Sequence, residues 1–477
     1  NKQSKYEQQN NHLPYHDYNF WFHLLRNLEE EKNVILKGGG NMKRKKKFYL
    51  VIILIILTLG VLGIALFLKL SPSNNYSIVY SDNGWLYYNN ENYKLGRGTI
   101  DTVEYANDRS KFLYKLENDL YFHDKNKEQK IATEIKEYAF ANNDKAIVYI
   151  NIDNKLAVYL NKKNIDITEN VNRYLGSYQN KIYYYKSSTL YAYDLNKQKD
   201  EEIATNVYSV QFKENKLIYL DSKNSLNVYD LKSSKKITSI NNVNIYESDE
   251  EIANIAYINN EKTLFLYDKE EHKVDDEVYS VSNVLDYVVY TKIEDNNIKY
   301  YVANKENKVA FDITGLDSCK MASKKMYCLT TDGNLYSISE KLDVNKVAEH
   351  IYDKMYEYNE ELYILALNDN HNNLYKINND KIEEIDSDVV MSSIKIGNDK
   401  MYYLKNQEDK YNLYVYDKKK ATLLREKIDS YYIIGKNIYL LKDYKEADLN
   451  GSLYLYNKKK DKMIISKITA LAEKNSN

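Results

Sequence analysis

Downstream of Tyr76, apolar and polar positions alternate in short runs set apart by polar turns, and the arrangement recurs along the chain. Aligning "KLIYLDSKNSLNVYDLKSSKKITSI" (216–240) with "KIYYYKSSTLYAYDLNKQKDEEIA" (181–204), "KMYYLKNQEDKYNLYVYDKKKATLL" (400–424) and "NIYLLKDYKEADLNGSLYLYNKKKDKMIIS" (437–466) defines the unit. It holds an apolar strand, a polar turn, an L-Y-x-Y-D-like strand, a second turn and a shorter strand. A further strand-like run precedes each unit, as in "VYSVQFKEN" (207–215) and "SYYIIGKN" (430–437). The leading apolar residue of the L-Y strand falls at Leu86, Leu120, Leu156, Leu190, Leu226, Leu264, Ile298, Leu335, Leu374, Leu413 and Leu453, at spacings of 34 to 40 residues. The pattern predicts about eleven units of four short strands each.

A four-stranded antiparallel unit of this size cannot bury both of its faces alone, whereas radial stacking against its neighbours does. The predicted fold class is therefore all-β, a β-propeller of four-stranded repeats. In "LYAYD", Leu190 and Ala192 fall on one face and Tyr191 and Tyr193 on the other, all suited to burial between blades. Turns such as "KENK", "SDNG" and "DLNG" carry residues that initiate tight reversals, and the low glycine count assigns many left-handed positions to Asn. The first unit starts at "SIVYS" (77–81) and lacks its innermost strand, while "SKITALAEK" (466–474) has no successor. This phase predicts that the C-terminal strand completes the first blade. Propellers typically have about four to eight blades, so either one large ring or two rings fit the count, ahead of an open solenoid.

A second pattern precedes the repeats. Residues 48–68 carry no charge over 21 positions, roughly 31 Å of helix, enough to cross a bilayer core. Lys43, Arg44, Lys45, Lys46 and Lys47 lie before the span and only Lys69 follows closely, so the positive-inside bias puts the repeats outside the cell. The span is longer than the core of a cleaved signal peptide and no A-x-A-like site follows, so it reads as an uncleaved single-pass signal anchor. The predicted organisation is a tail at 1–41, a basic cytoplasmic flank at 42–47, the transmembrane anchor at 48–68, a linker at 69–76 and the propeller-repeat ectodomain at 77–474. "KGGGNM" (37–42) back-translates to a purine-rich ribosome-binding tract before a start codon, so Met42 is the expected start; a short disordered tail is the alternative.

Composition changes this picture little. The chain has 477 residues, a net charge of −1 and no zinc-finger, RNP or basic-zipper pattern, so nucleic acid is not an expected partner. Tyr occurs 51 times, against two Trp and two Pro, which favours half-buried strands. The anchor together with the "[KN]-[IL]-Y-Y-L…L-Y-x-Y-D" repeat resembles the uncharacterised, Tyr/Asn/Lys-rich, membrane-anchored propeller-repeat surface proteins of low-GC Gram-positive bacteria. That resemblance covers about residues 42–474. It implies a propeller at the cell surface and supplies no catalytic residues.

Candidate chemistry is sparse. Cys319 and Cys328 are the only cysteines, and a hairpin turning at Ser323-Lys324 sets them opposite one another, as a cross-strand disulfide or as two thiols. His12, His16, His23, His123, His272, His350 and His371 are scattered and form no H-E-x-x-H or Cys–His pairing. Asp124, Asp194, Asp230, Asp268 and Asp417 recur after the L-Y strand, where a metal reading competes with the simpler one of turn capping. "NDNHNN" (368–373) lacks the spacing and terminal Glu of a calcium loop, and "GRG" (96–98) is too short for a phosphate cradle. No catalytic, cofactor or metal residues are assigned. The expected role is a non-enzymatic binding or scaffold module at the cell membrane, with the lipid bilayer and an envelope glycan or protein as partners. The alternatives are a glycan hydrolase or lyase acting in the propeller mouth and an extracellular sensor.

Overall fold

The computed structural model describes residues 76–473, apart from Asn126. The tail, the basic flank, the apolar span and nearly all of the linker lie outside the described residues. Among those described, no helix is long and apolar enough to cross a membrane. The described chain forms eleven four-stranded sheets, every pairing antiparallel, and ten of them are blades of four consecutive strands. Numbered along the chain, blades 2 to 11 span 104–132, 135–168, 173–204, 207–240, 243–275, 278–311, 316–348, 356–386, 395–428 and 430–468.

Blade 5 shows why the sequence folds this way. Its strands are Val207–Lys213, Lys216–Asp221, Leu226–Asp230 and Lys235–Ile240. The second strand, "KLIYLD", is buried on both faces at its four central residues, so it reads as a continuous apolar run. The fourth strand, "KKITSI", is largely exposed and forms the rim. Neighbouring first strands lie against one another, as Arg173–Tyr178 does with Val207–Lys213, which puts them on the inside of the ring.

Eleven apolar clusters hold the blades together, each spanning one boundary between neighbours. Leu220 and Val228 of blade 5 pack on Val243 and Ile255 of blade 6, for example. The last cluster joins Ile434 and Leu453 of blade 11 to Tyr80 and Leu471 of blade 1. An open array has one boundary fewer than it has blades. Here the numbers are equal, so the array is a single closed ring. Two rings and an open solenoid are both ruled out.

The ring closes as the phase of the repeat predicts. Blade 1 takes Val79–Asp82, Trp85–Tyr88 and Asn90–Arg97 from the start of the repeats and Ala470–Leu471 from the end. Tyr80 faces Leu471, and flanking backbone bonds run from Thr469 N–H to Ser81 O (2.8 Å) and from Ala472 N–H to Val79 O (2.9 Å).

A repeated backbone bond fixes each blade to the one before it. Val171, Val207, Val243 and Val278 donate their N–H groups to Asn154, Ser188, Asn224 and Lys262, in the hairpin between the second and third strands of the preceding blade, at 2.8–2.9 Å. Left-handed turn positions go to Asn more often than to any other non-glycine residue. Paired left-handed residues at Asn161-Lys162, Ser187-Ser188 and Asp369-Asn370 make tight hairpin turns that match the strand twist.

The leading apolar position is fully buried in ten of the eleven units. Ile298 is the exception, at 57% exposure, and is a correction to the repeat alignment. In blade 7 the hairpin is longer, running Val288–Glu294 and Asn297–Ala303 around Asp295-Asn296. The stacked pair Tyr290–Tyr301, with ring centroids 5.5 Å apart, matches the stacked pair Tyr184–Tyr191 of blade 4, at 5.2 Å. The position held by Leu190 in blade 4 therefore belongs to Tyr300 in blade 7. Two extra residues on each strand of this hairpin push Ile298 past the core into solvent.

Candidate functional site

A hollow of about 720 Å³ crosses one end of blades 2 to 4. Its wall begins with the turn between the strands Ile135–Ala141 and Ala146–Asn151. Asn142, Asn143 and Asp144 all adopt left-handed backbone there, with φ of 52°, 52° and 62°. These residue types tolerate that conformation better than most. The turn holds Asp144 against the corresponding turn of blade 2. Its carboxylate accepts the Asn107 backbone N–H at 2.7 Å and the Asn107 side-chain amide at 3.3 Å.

Beside Asp144 lies an aromatic floor. Phe122 meets Phe140 edge-on at 6.3 Å between ring centroids and Tyr159 at 6.5 Å. The Tyr159 hydroxyl donates to Gln129 Oε1 at 2.7 Å. Asn161 and Gln198 add carboxamides to the rim, and Lys111 and Lys145 add cations.

A second hollow of about 650 Å³ shares Phe140 and Asp144 with the first and continues along the inner strands. Glu104 accepts the Phe140 N–H at 2.9 Å, and the Tyr138 hydroxyl donates to the Thr102 carbonyl. Burial raises the Tyr138 pKa, with Glu104 and Asp101 adding to the effect. Burial also pushes Tyr174 up to about 12. Both phenols stay protonated at neutral pH and serve as hydrogen-bonding groups. The carboxylates of Asp144 and Glu104 are already engaged by N–H groups, which fixes the wall in place.

The sequence candidates have varied fates. Asp124 lines the first hollow, and its Oδ1 is buried with no hydrogen-bond partner. Asp194 caps its turn by accepting the N–H groups of Asn196 (2.9 Å) and Lys197 (3.0 Å). Asp230 does so with Ser233 (2.6 Å), whose hydroxyl and N–H hold its pKa below the usual range. Asp417 accepts more weakly from Lys419 (3.4 Å), while Asp268 pairs with Lys305 of the next blade.

His123 is buried against Tyr88 and Phe112, and that burial lowers its pKa, so it packs as a neutral ring. His272 Nε2 is 3.5 Å from Asp268. His371 Nδ1 is 2.5 Å from Asp388, in the hairpin that "NDNHNN" turns. His350 borders an apolar hollow of about 540 Å³ between blades 8 and 9. His12, His16 and His23 lie outside the described residues. Among those described, no group of three or more His, Cys, Asp and Glu side chains is placed to hold a metal ion.

Cys319 and Cys328 face each other in register across Leu316–Ala322 and Lys325–Thr330 of blade 8, with Cα atoms 4.1 Å apart and sulfurs bonded. Ser323 and Lys324, at φ 49° and 65°, make the turn between them. Phe140, Asp144 and Glu104 were not singled out by the sequence. "ANNDK" (141–145) is the one local signal, a run of turn formers too common to mark a site.

No family model matches the chain, and no curated protein sequence matches it. Among solved structures it is similar to the tricorn protease at 10% identity and a TM-score of 0.26, covering 82% of this chain and 58% of that one. It is similar to Porphyromonas gingivalis dipeptidyl peptidase 4 at 10% identity and a TM-score of 0.37, covering 78% and 59%. The likeness to Kluyveromyces lactis Hsv2p has 12% identity and a TM-score of 0.29, covering 54% and 98%. The chain thus spans under two thirds of the two peptidases, and similarity at this level carries no function across.

Proposed function

We propose that this chain is a non-enzymatic binding or scaffold module held on the outer face of the cytoplasmic membrane by residues 48–68, as in the surface proteins it resembles. Its partner is an envelope glycan or protein, taken at the cleft across blades 2 to 4. The observation that carries this reading is the pre-set wall of that cleft. Asp144 and Glu104 are locked to neighbouring N–H groups, and Phe122, Phe140 and Tyr159 form an aromatic floor among carboxamides. Such a surface offers rigid apolar contact and fixed hydrogen-bonding groups.

One observation favours a second reading, a glycan hydrolase or lyase. The Asp124 Oδ1 is buried in the cleft wall and unpartnered, as a general acid can be. One experiment separates the two. Wild type, Phe140→Ala and Asp124→Asn chains are incubated with fractionated envelope material, and both retention and release of soluble fragments are measured. Retention that Phe140→Ala abolishes, without release, fits the binding module. Release that Asp124→Asn abolishes fits the enzyme. Retention by Phe140→Ala equal to that of wild type removes the cleft from the reading.

A further inference from the structure

In blades 3, 5, 6 and 7 the first residue of the inner strand is the anchor that bonds to the preceding blade, and the pairing then skips the residue after it. Val207 faces Asp221 while Ser209 faces Leu220, and Val243 faces Asn259 while Ile245 faces Ile258. Val278 and Ser280 repeat this opposite Lys292 and Thr291, as do Leu316 and Ser318 opposite Thr330 and Leu329. A bulge of this kind leaves its extra residue out of the ladder and re-aims that side chain. In blade 9, Ile351 holds the anchor place, bonded to Gly333 O at 3.0 Å and bridged to Ala366.

Blades 5 to 9 consequently present Tyr208, Asn244, Tyr279, Asp317 and Tyr352, all exposed. The three tyrosines are 75%, 56% and 59% exposed and sit on alternate blades with a polar residue between them. They differ from the structural tyrosines of the repeat. Tyr184, Tyr257, Tyr290 and Tyr403 are buried, stack across strands, and donate their hydroxyls to Asp200, Glu271, Asp275 and Asp386 at 2.7–2.8 Å. Among the described residues, Tyr208, Tyr279 and Tyr352 have neither a stacking partner nor a hydrogen-bonded hydroxyl. Leaving three large rings in water forgoes burial that the stacked tyrosines of the repeat use.

We propose that this row binds a neutral polysaccharide chain, with sugar rings laid on Tyr208, Tyr279 and Tyr352 and sugar hydroxyls bonded to Asn244 and Asp317. A pyranose has one flat C–H face and a polar edge, which matches an aromatic face flanked by a carboxamide or carboxylate. The spacing across five blades suits a chain, since a small ligand would engage one ring only. The five residues from blade 5 to blade 9 include no cation, although the same bulge position in blade 3 is Lys136, so a neutral chain fits the row better than an anionic one. A protein partner would want contiguous apolar area, whereas here polar residues separate each ring from the next. Tyrosine loses little conformational freedom on binding, so each ring contributes contact at low entropic cost.

The site lies at the end of the blades opposite the cleft. In an antiparallel blade, the inner-strand anchors and the second-to-third hairpins share one end, and the Asn142–Asp144 turn is at the other. The proposal rests on the binding-module reading only for its premise, and the two sites fail separately.

The test is affinity electrophoresis of the full chain in detergent through native gels containing a soluble neutral β-glucan or glycol chitin. Wild type is compared with Tyr208→Ala, Tyr279→Ala, Tyr352→Ala, the triple variant and Phe140→Ala in the cleft. Wild type and Phe140→Ala should be retarded by at least one polymer. The triple variant should bind more than about tenfold more weakly with an unchanged melting temperature, and each single variant a few-fold more weakly. No retardation of wild type by either polymer overturns the proposal, as does a triple variant retarded like wild type. Retardation lost only in Phe140→Ala overturns it too, and assigns the glycan to the cleft.

Discussion

Leu471 lies directly opposite Tyr80 in the sheet of blade 1, so the two ends of the repeat array share one pair of strands. Leu471 packs with blade 11 and Ala472 with blade 2, both almost fully buried. Leu471→Asp places a charge in that seam and should cost at least about 3 kcal/mol, with ending the chain at Thr469 costing more. Urea denaturation of both variants reads the loss. A truncated chain that unfolds at the wild-type midpoint would mean the ring does not depend on its closure.

Arg109 guards the same seam from blade 2. Its Nη2 donates to the Ala472 carbonyl at 3.2 Å, and its guanidinium lies 3.5 Å over the Tyr105 ring, with the residue only 6% exposed. Tyr105 in turn accepts the Val79 N–H at 2.8 Å. Arg109→Met keeps the apolar stem and removes the charge-assisted bond, leaving a buried carbonyl short of a donor. The expected loss is about 1.5–3 kcal/mol in urea midpoint analysis, and Arg109→Lys should recover little because Lys lacks the planar fork.

Much of this architecture was legible in the sequence, because blade packing imposes a period that strand and turn chemistry both obey. Leu226, Tyr219 and the turn at Ser187-Ser188 follow from alternation, β-propensity and turn chemistry. Ile298 was misplaced because "NIKYYVA" holds two apolar candidates, and only the pairing register tells the lengthened hairpin from the standard one. The exposed tyrosines escaped for a different reason. "VYS" is packed strand at 79–81 and opens the inner strands at 207–209 and 278–280, and the bulge that turns Tyr208 and Tyr279 outward has no local signature. The cleft joins residues from three blades, so Asp144 and Glu104 acquire meaning only once the ring is closed.

Asp275 predicts an acid-sensitive boundary between blades 6 and 7. Its carboxylate, almost fully buried, accepts the Tyr290 hydroxyl at 2.8 Å and pairs with Lys308 and Lys292. Burial alone would raise its pKa, but Lys308, Tyr290, the Asp276 N–H and Lys292 together hold it below the usual carboxylate range. A carboxyl depressed in the folded state stabilises the fold fully above its unfolded pKa, and this stabilisation fades as pH falls through the lower folded value. Wild type should therefore lose stability as pH drops below about 4, with Asp275→Asn less stable at pH 7 and flatter across that window. Parallel acid titrations, followed by circular dichroism, would contradict this if the two curves had the same shape.

The turn at Gly333 meets the anchor of the next blade. Its φ is +80°, and a Cβ there would sit 2.7 Å from the Ile351 carbonyl oxygen, next to the Ile351 N–H bond that sets up Tyr352. Gly333→Ala combines left-handed strain with a backbone clash and should cost about 1–3 kcal/mol. Gly84, at a comparable φ of +75° but with open space around its Cβ, is the control, and its Ala variant should lose less. Equal losses in thermal denaturation would show that backbone strain alone is responsible.

The cysteine pair links the fold to its surroundings. Cys328 is fully buried among Val289, Met326 and Ile338, and Cys319 reaches it across a close register pair. The bond closes a loop spanning nine residues of separation, so its effect on the unfolded chain is limited to roughly 2–3 kcal/mol. Thiol titration of the unfolded chain without reductant should find no free thiol, and reductant should lower the urea midpoint by a corresponding amount. The Cys319→Ser, Cys328→Ser double variant should resemble the reduced protein and no longer respond to reductant. Disulfides persist in oxidising compartments, so recovery of the bonded form from alkylated native cells also bears on where the ring resides. Two titratable thiols in that native material would argue against both the bond and the extracellular placement.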